Sequence, residues 1–245
     1  MAVKIKVTAM LMMMAAAVAV PAAAQVQTTP RFSVSFDAGA DVALSGDVHG
    51  GGTGTVLGLP TTVQARSYGD IYGAPFTWAA SFGYRFAENT EFRTRVFQTM
   101  GTAENVQVGD VATLPLFAQF DDYKALGVDF GVRQYYGSGG VQPFAGASIG
   151  FVSVDEINGT FTVPAASVVL SDVPMYGQST VLTFAFSGGV FIPLGKNFGI
   201  QGGVDFRWID NLDPVDGLAG TGLESINDKS RRWSMPVTVG AVIRF

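Results

Sequence analysis

The chain has 245 residues, 48% hydrophobic and only 14% charged, with a formal net charge of −5; an average soluble domain carries about 25% charged residues. Cysteine is absent and His49 is the single histidine, which excludes disulfides, thiolate metal sites and a cysteine nucleophile and leaves little for imidazole catalysis. With 20 acids against 15 bases there is no basic footprint for nucleic acid.

The first element is a targeting segment. Lys4 and Lys6 precede the apolar run 7–20, and Pro21 with Ala22, Ala23 and Ala24 follows it. This charged, apolar, small-residue order is that of a secretory signal peptide. The run is too short for the roughly 20 residues that a spanning helix needs. Residues 1–24 are therefore expected to be cleaved, leaving 25–245 as one domain, and loss of the two lysines takes the formal charge from −5 to −7.

Beyond residue 24 the apolar residues fall on every second position, the period of a strand. The last segment shows this best: Trp233, Met235, Val237, Val239, Ala241, Ile243 and Phe245 share one face, and Ser, Thr, Gly and Arg dominate the other. The same pattern predicts eight strands, at 31–42, 76–86, 91–101, 123–136, 141–154, 180–192, 197–209 and 231–245. Each is near or above the 9 to 11 residues a tilted strand needs to cross a bilayer. The connections alternate between tight turns (87–90, 137–140, 193–196) and long segments (43–75, 102–122, 155–179, 210–230). Short turns on one rim and long loops on the other are the signature of an outer-membrane barrel. In hydrocarbon an even-stranded closed barrel is also the one β arrangement with no unpaired edge. On this topology Trp78, Trp208 and Trp233 gather near the outer interface and Phe86, Phe198 and Phe245 near the inner one, as two aromatic girdles. The fold class is all-β, an eight-stranded antiparallel transmembrane barrel; a soluble β-sandwich or lipocalin-like barrel is the competing arrangement.

With these strands placed, the chain resembles the small outer-membrane β-barrel family of the OmpA-barrel, OmpX and opacity type. The resemblance covers nearly all of 25–245, and is most specific in the closing strand PVTVGAVIRF and in YYGSGGVQPFAGASIGF from Tyr135 to Phe151. It implies a Gram-negative source, a filled or very narrow lumen, and recognition of the terminal Phe245 by the outer-membrane assembly machinery.

Strand parity turns Asp37, Arg85, Arg93, Arg95, Asp129, Arg133, Asp205, Arg207 and Arg244 inward. An eight-stranded interior is just wide enough for side chains to fill. Opposite charges there are expected to pair as a polar plug, since an unpaired buried charge is strongly unfavourable. Six arginines against three aspartates leave a narrow anion-favouring passage as the alternative. The long loops are strongly acidic and are expected to be solvated, in contact with lipid and lipopolysaccharide. Divalent cations are further candidate partners there, with the run Asp210, Asp213, Asp216 and Gly217 as one site, although its spacing is not that of an EF-hand loop. His49 lies in the Gly-rich stretch DVHGGG and is expected to be solvated. No H-E-x-x-H, G-x-S-x-G or phosphate-loop motif accompanies it. The expectation is a non-enzymatic barrel without cofactor or nucleic-acid partner, structural or surface-interacting through its loops, with a narrow channel as the alternative.

Overall fold

The computed structural model describes residues 30–137 and 140–245. The proposed signal peptide lies outside these, as do Ser138 and Gly139 of one tight turn. In chain order the elements are β1 (Phe32–Ser45), β2 (Asp47–His49), β3 (Gly52–Val56), β4 (Leu59–Val63), β5 (Arg66–Ser67), a short helix α1 (Tyr68–Tyr72), β6 (Phe76–Ala87), β7 (Thr90–Gly101), β8 (Val106–Val111), β9 (Leu114–Phe120), β10 (Tyr123–Tyr135), β11 (Gln142–Val154), β12 (Ile157–Val163), β13 (Val168–Tyr176), β14 (Ser179–Pro193), β15 (Phe198–Ile209) and β16 (Arg232–Arg244).

Eight of these close an antiparallel barrel in the order β1, β16, β15, β14, β11, β10, β7, β6. They are the eight segments that alternate in the sequence, with ends displaced by up to three residues. Closure joins the first strand to the last: Phe32 and Phe245 exchange two backbone hydrogen bonds of 2.9 Å, and Ser33 to Ala43 pair with Arg244 to Ser234 without a break. The outward parity is apolar and exposed, as in Phe36, Ile149, Phe186, Val204 and Val239, while its alternate positions are buried. An exterior of this kind is stable in lipid and would aggregate in water. Near the long-connection rim Trp208 stacks on Phe184 at 5.0 Å and Trp233 on Phe206 at 4.4 Å. At the other rim Phe32 gathers Phe82, Tyr84 and Phe245 within 6.1 Å. The two girdles are thus formed by more rings than their alternation alone singles out.

The long connections are not loose loops, and here the sequence expectation is corrected. Hairpins β3–β4, β8–β9 and β12–β13, one from each of the first three, join as a second sheet in the order β13, β12, β9, β8, β4, β3. Strands β2 and β5 pair below it, and α1 is held by a capping box in which Ser67 and Asp70 bond each other's backbone N–H. This cap packs onto the barrel mouth through one apolar core that runs from Val63, Val108, Phe120, Ile157 and Met175 down to Phe97, Ala125, Val152 and Ile209. Alternating burial in β12, where every odd-numbered residue is buried, marks strands with one face on that core. The solvated-loop expectation fails because these segments carry enough apolar side chains to build a core of their own.

Val239 is 70% exposed on the outward face near the middle of β16, paired with Ala38 and Gly202. Replacing it with arginine is expected to cost about 2–4 kcal/mol at the bilayer midplane. Urea unfolding in phospholipid vesicles measures this, and unchanged stability would mean that β16 is assigned to the wrong faces.

Candidate functional site

The inward parity of the barrel carries the charges that alternation assigns to it, and the lattice of contacts is specific. Arg95 on β7 faces its cross-strand partner Asp129 on β10 with Nη2 to Oδ2 at 2.6 Å and Nε to the same carboxylate at 3.0 Å. Its other terminal nitrogen crosses the lumen to Asp205 on β15, which also receives Arg207 at 3.3 Å. A second chain runs beside the first. Arg133 donates to Gln201 at 2.8 Å, Gln201 donates to Asp37 at 2.6 Å, and Arg93 reaches Asp37 at 3.2 Å and Ser81 at 2.6 Å. Strands on opposite walls are thereby cross-linked through the interior.

Of the nine predicted residues, Asp37, Arg93, Arg95, Asp129, Asp205 and Arg207 form ion pairs with one another. Arg85, Arg133 and Arg244 lie inside but join no ion pair among the described residues, and they are the part of the six-to-three arginine excess that carboxylates do not reach. Instead their guanidinium groups lie over inward-facing rings: Arg133 is 3.9 Å from the Phe144 centroid, Arg244 3.6 Å from Phe191, and Arg85 5.4 Å from Tyr135. Arg207, although paired, also covers Phe97 at 3.9 Å. A ring face attracts a cation most strongly where water is excluded. Aromatic faces thus hold part of the cationic excess that carboxylates leave over.

Several interior residues were not picked out by the alternation argument. Glu91 and Asp41 share the parity of Arg93 and Asp37 but sit near strand ends. Glu91 accepts from Ser33 at 3.0 Å and Tyr135 at 3.4 Å. Asp41 lies 3.9 Å from Arg232, which donates to Tyr123 at 2.7 Å and covers the rings of Tyr123 and Tyr68. The rings of Phe97, Phe144 and Phe191 also face inward and are buried. Their room comes from inward glycines on neighbouring strands: a Cβ at Gly127 would stand 2.2 Å from the Phe97 ring, and one at Gly199 2.4 Å from Phe191.

Between these side chains remain two voids of about 20 Å³ each, on the scale of a single water apiece. Above them the mouth is covered by Tyr68, Tyr72 and Tyr123, whose ring centroids lie 5.6 to 6.2 Å apart. Burial pushes the Tyr68 and Tyr72 hydroxyls above the ordinary phenol range, so both stay neutral.

His49 corrects a second expectation. It is 1% exposed at the base of the cap, its ring 5.6 Å from that of Phe120, with Nδ1–H donating to the Gly50 carbonyl at 3.0 Å. Nε2 has no partner among the described residues. Desolvation holds the ring's pKa below the ordinary histidine value. Nor do Asp210, Asp213 and Asp216 converge: no group of three potential metal-ligating His, Cys, Asp or Glu side chains occurs among the described residues. Asp210 instead bonds the backbone N–H of Asn211, and the Asp213 backbone is tied to Ser179.

No family model and no curated protein matches the chain. Among solved structures it is similar to Neisserial surface protein A, at 14% identity and a TM-score of 0.51, over 87% of this chain and 97% of that one. Further similarities are to the attachment invasion locus protein Ail of Yersinia pestis (13%, TM-score 0.43, 89% and 100%) and to OprG from Pseudomonas aeruginosa (14%, 0.43, 89% and 99%). The first of these establishes the fold: the chain has the architecture of the small outer-membrane eight-stranded β-barrels.

Two outcomes are expected from this geometry. Arg95→Ala leaves Asp129 without a cation and Asp205 with one fewer, and should cost about 3–5 kcal/mol in vesicle unfolding, as breaking a buried pair does; Arg95→Ala with Asp129→Ala should cost less than the two single changes together. The cap should be most stable above pH 6.5 and weaken as pH falls through that value, because the unfolded His49 takes up a proton before the folded one. Hydrogen exchange of the cap at pH 7.5 and 5.5 reads this, and His49→Phe should reduce the difference.

Proposed function

We propose that this protein is a non-enzymatic barrel of the Gram-negative outer membrane, with a plugged lumen and a structured, acidic cap that makes its contacts outside the cell. The observation that carries the reading is Arg95 joined to Asp129 on one wall and Asp205 on the opposite one. With such a bridge across an interior that side chains can just fill, an ion would have to break a buried pair to pass. The Arg232 and tyrosine cluster at the mouth adds a second closure.

The cap has the composition of an interaction surface rather than of a catalytic one. Among its exposed side chains are Asp47, Asp121, Asp155, Asp172, Asp213, Asp216 and Glu224. Lipopolysaccharide and lipid are the immediate neighbours in this reading, and the surface-protein name of the Neisserial neighbour accords with it. Phe245, outward and in register with Phe32, is in this reading the aromatic residue of the closing strand that the assembly machinery recognises. The orientation follows from the short turns and both strand termini lying on the periplasmic rim.

Planar-bilayer recording tests the plug. The wild-type barrel should show no stable conductance, and Arg93→Ala with Arg95→Ala should open one only when the second closure at the mouth is also removed, by Arg232→Ala. Reproducible wild-type conductance whose ion selectivity changes in that double variant would overturn the plugged lumen in favour of a narrow channel.

A further inference from the structure

The cap contains a cavity of about 230 Å³ that a surface-contact role does not use. One face of the second sheet forms its wall, through residues such as Val63, Leu116, Phe161 and Leu170, and residues 217–226 of the fourth connection close it with Leu218 and Ile226. It is larger than an engineered apolar cavity of about 150 Å³ that stays dry and takes up benzene. Thr61 and Thr221 carry the only side-chain polar atoms of its lining. Both hydroxyls are already engaged, Thr61 with the Leu59 carbonyl at 3.2 Å and Thr221 with that of Leu218 at 2.5 Å. The walls therefore hold an occupant by water exclusion and dispersion, and reject one that needs hydrogen bonds.

Charge narrows the class further. Asp110, Asp172, Asp216 and Glu224 are each adjacent in sequence to a lining residue, and no lysine or arginine is. The local potential is thus unfavourable to a carboxylate or phosphate head. The entrance is marked by position. Turns at the tips of all three hairpins reach the cavity, through Leu57, Leu114 and Ala166, and these tips lie away from the barrel. Leu57 is 69% exposed there and holds φ at +53°, a left-handed conformation that a bulky apolar residue rarely adopts. An apolar side chain at that strained tip gives the cavity mouth an apolar lip facing the medium.

We propose that the cap cavity binds a small uncharged apolar molecule, taken from the outer medium. The proposal rests on the outward orientation argued above but not on whether the lumen conducts, so its failure would leave the plug untouched. The barrel in lipid nanodiscs, with labelled Leu, Ile and Val methyls, is titrated with n-hexanol, n-octanol, n-decanol and octanoate. Saturable shifts confined to cap methyls such as those of Leu116 and Ile226 are expected, with affinity rising about fourfold per added methylene up to a cut-off length. Octanoate should bind at least about tenfold more weakly, since its charge would be desolvated beside acids. Ala166→Trp at the mouth and Val63→Phe at the wall should each reduce octanol affinity about tenfold by filling the space, whichever of them folds serving as the control. Shifts that never saturate, affinity that climbs without a cut-off as in bilayer partitioning, or octanol binding unchanged in the filled variants would overturn the site. Octanoate binding as tightly as octanol would overturn the uncharged class, and a phospholipid retained in the cavity by native mass spectrometry would overturn the outer-medium source.

Discussion

The pairing of β1 with β16 is the constraint on which the rest depends. A strand edge in hydrocarbon leaves each N–H and C=O without water or partner, at several kcal/mol apiece. The ladder from Ser33 to Ala43 against Arg244 to Ser234 removes that edge. Closure then dictates everything about the side chains. Each strand has one face in lipid and the other in a space that eight strands make barely wide enough to fill. The apolar parity and the polar parity are two consequences of one closed ladder.

Filling that space with charge requires more than matching signs. Seven arginines and five carboxylates, counting Glu91, Asp41 and Arg232 with the nine residues that alternation turns inward, would leave cations unpaired if ion pairs were the sole device. The rings of Phe97, Phe144, Phe191, Tyr123 and Tyr135 complete the set, each beneath a guanidinium. Glycines on the neighbouring strands make room for the three phenylalanine rings. A small barrel thus carries a polar interior in which most charged groups touch either a carboxylate or a π face, and the same contacts tie opposite walls together.

The cap is a second folded layer built from the connections. Its core is continuous with the top of the barrel through Phe97, Ala125, Val152 and Ile209, so the strands that hold the lumen closed also support the outer sheet. Buried polar groups secure it locally. Asn227 donates to the carbonyls of Met175 and Val215, Tyr176 to that of Val48, and Ser230 accepts from the Leu212 N–H. His49, desolvated against Phe120 with Arg66 and Asp47 nearby, places one titratable ring in this base.

Alternation alone determined the eight barrel strands, the faces of Val239 and Arg95, and the rim on which the long connections lie, because a period of two in a bilayer permits only one inside and one outside. It could not decide which inward charges meet. Arg95 and Asp129 are cross-strand neighbours whose pairing follows once register is known, but the approach of Arg95 to Asp205 spans the barrel and depends on its diameter and shear. Nor could alternation show how the inward rings are accommodated: the room for Phe97 and Phe191 is made by Gly127 and Gly199 on the neighbouring strands. The acidic connections look solvated in sequence, since their apolar residues are spread over four separated segments. Only the tertiary structure brings Val63, Phe161 and Ile226 to one core, buries His49 within it, and leaves a cavity there, because those contacts join residues distant in sequence and no local pattern encodes them.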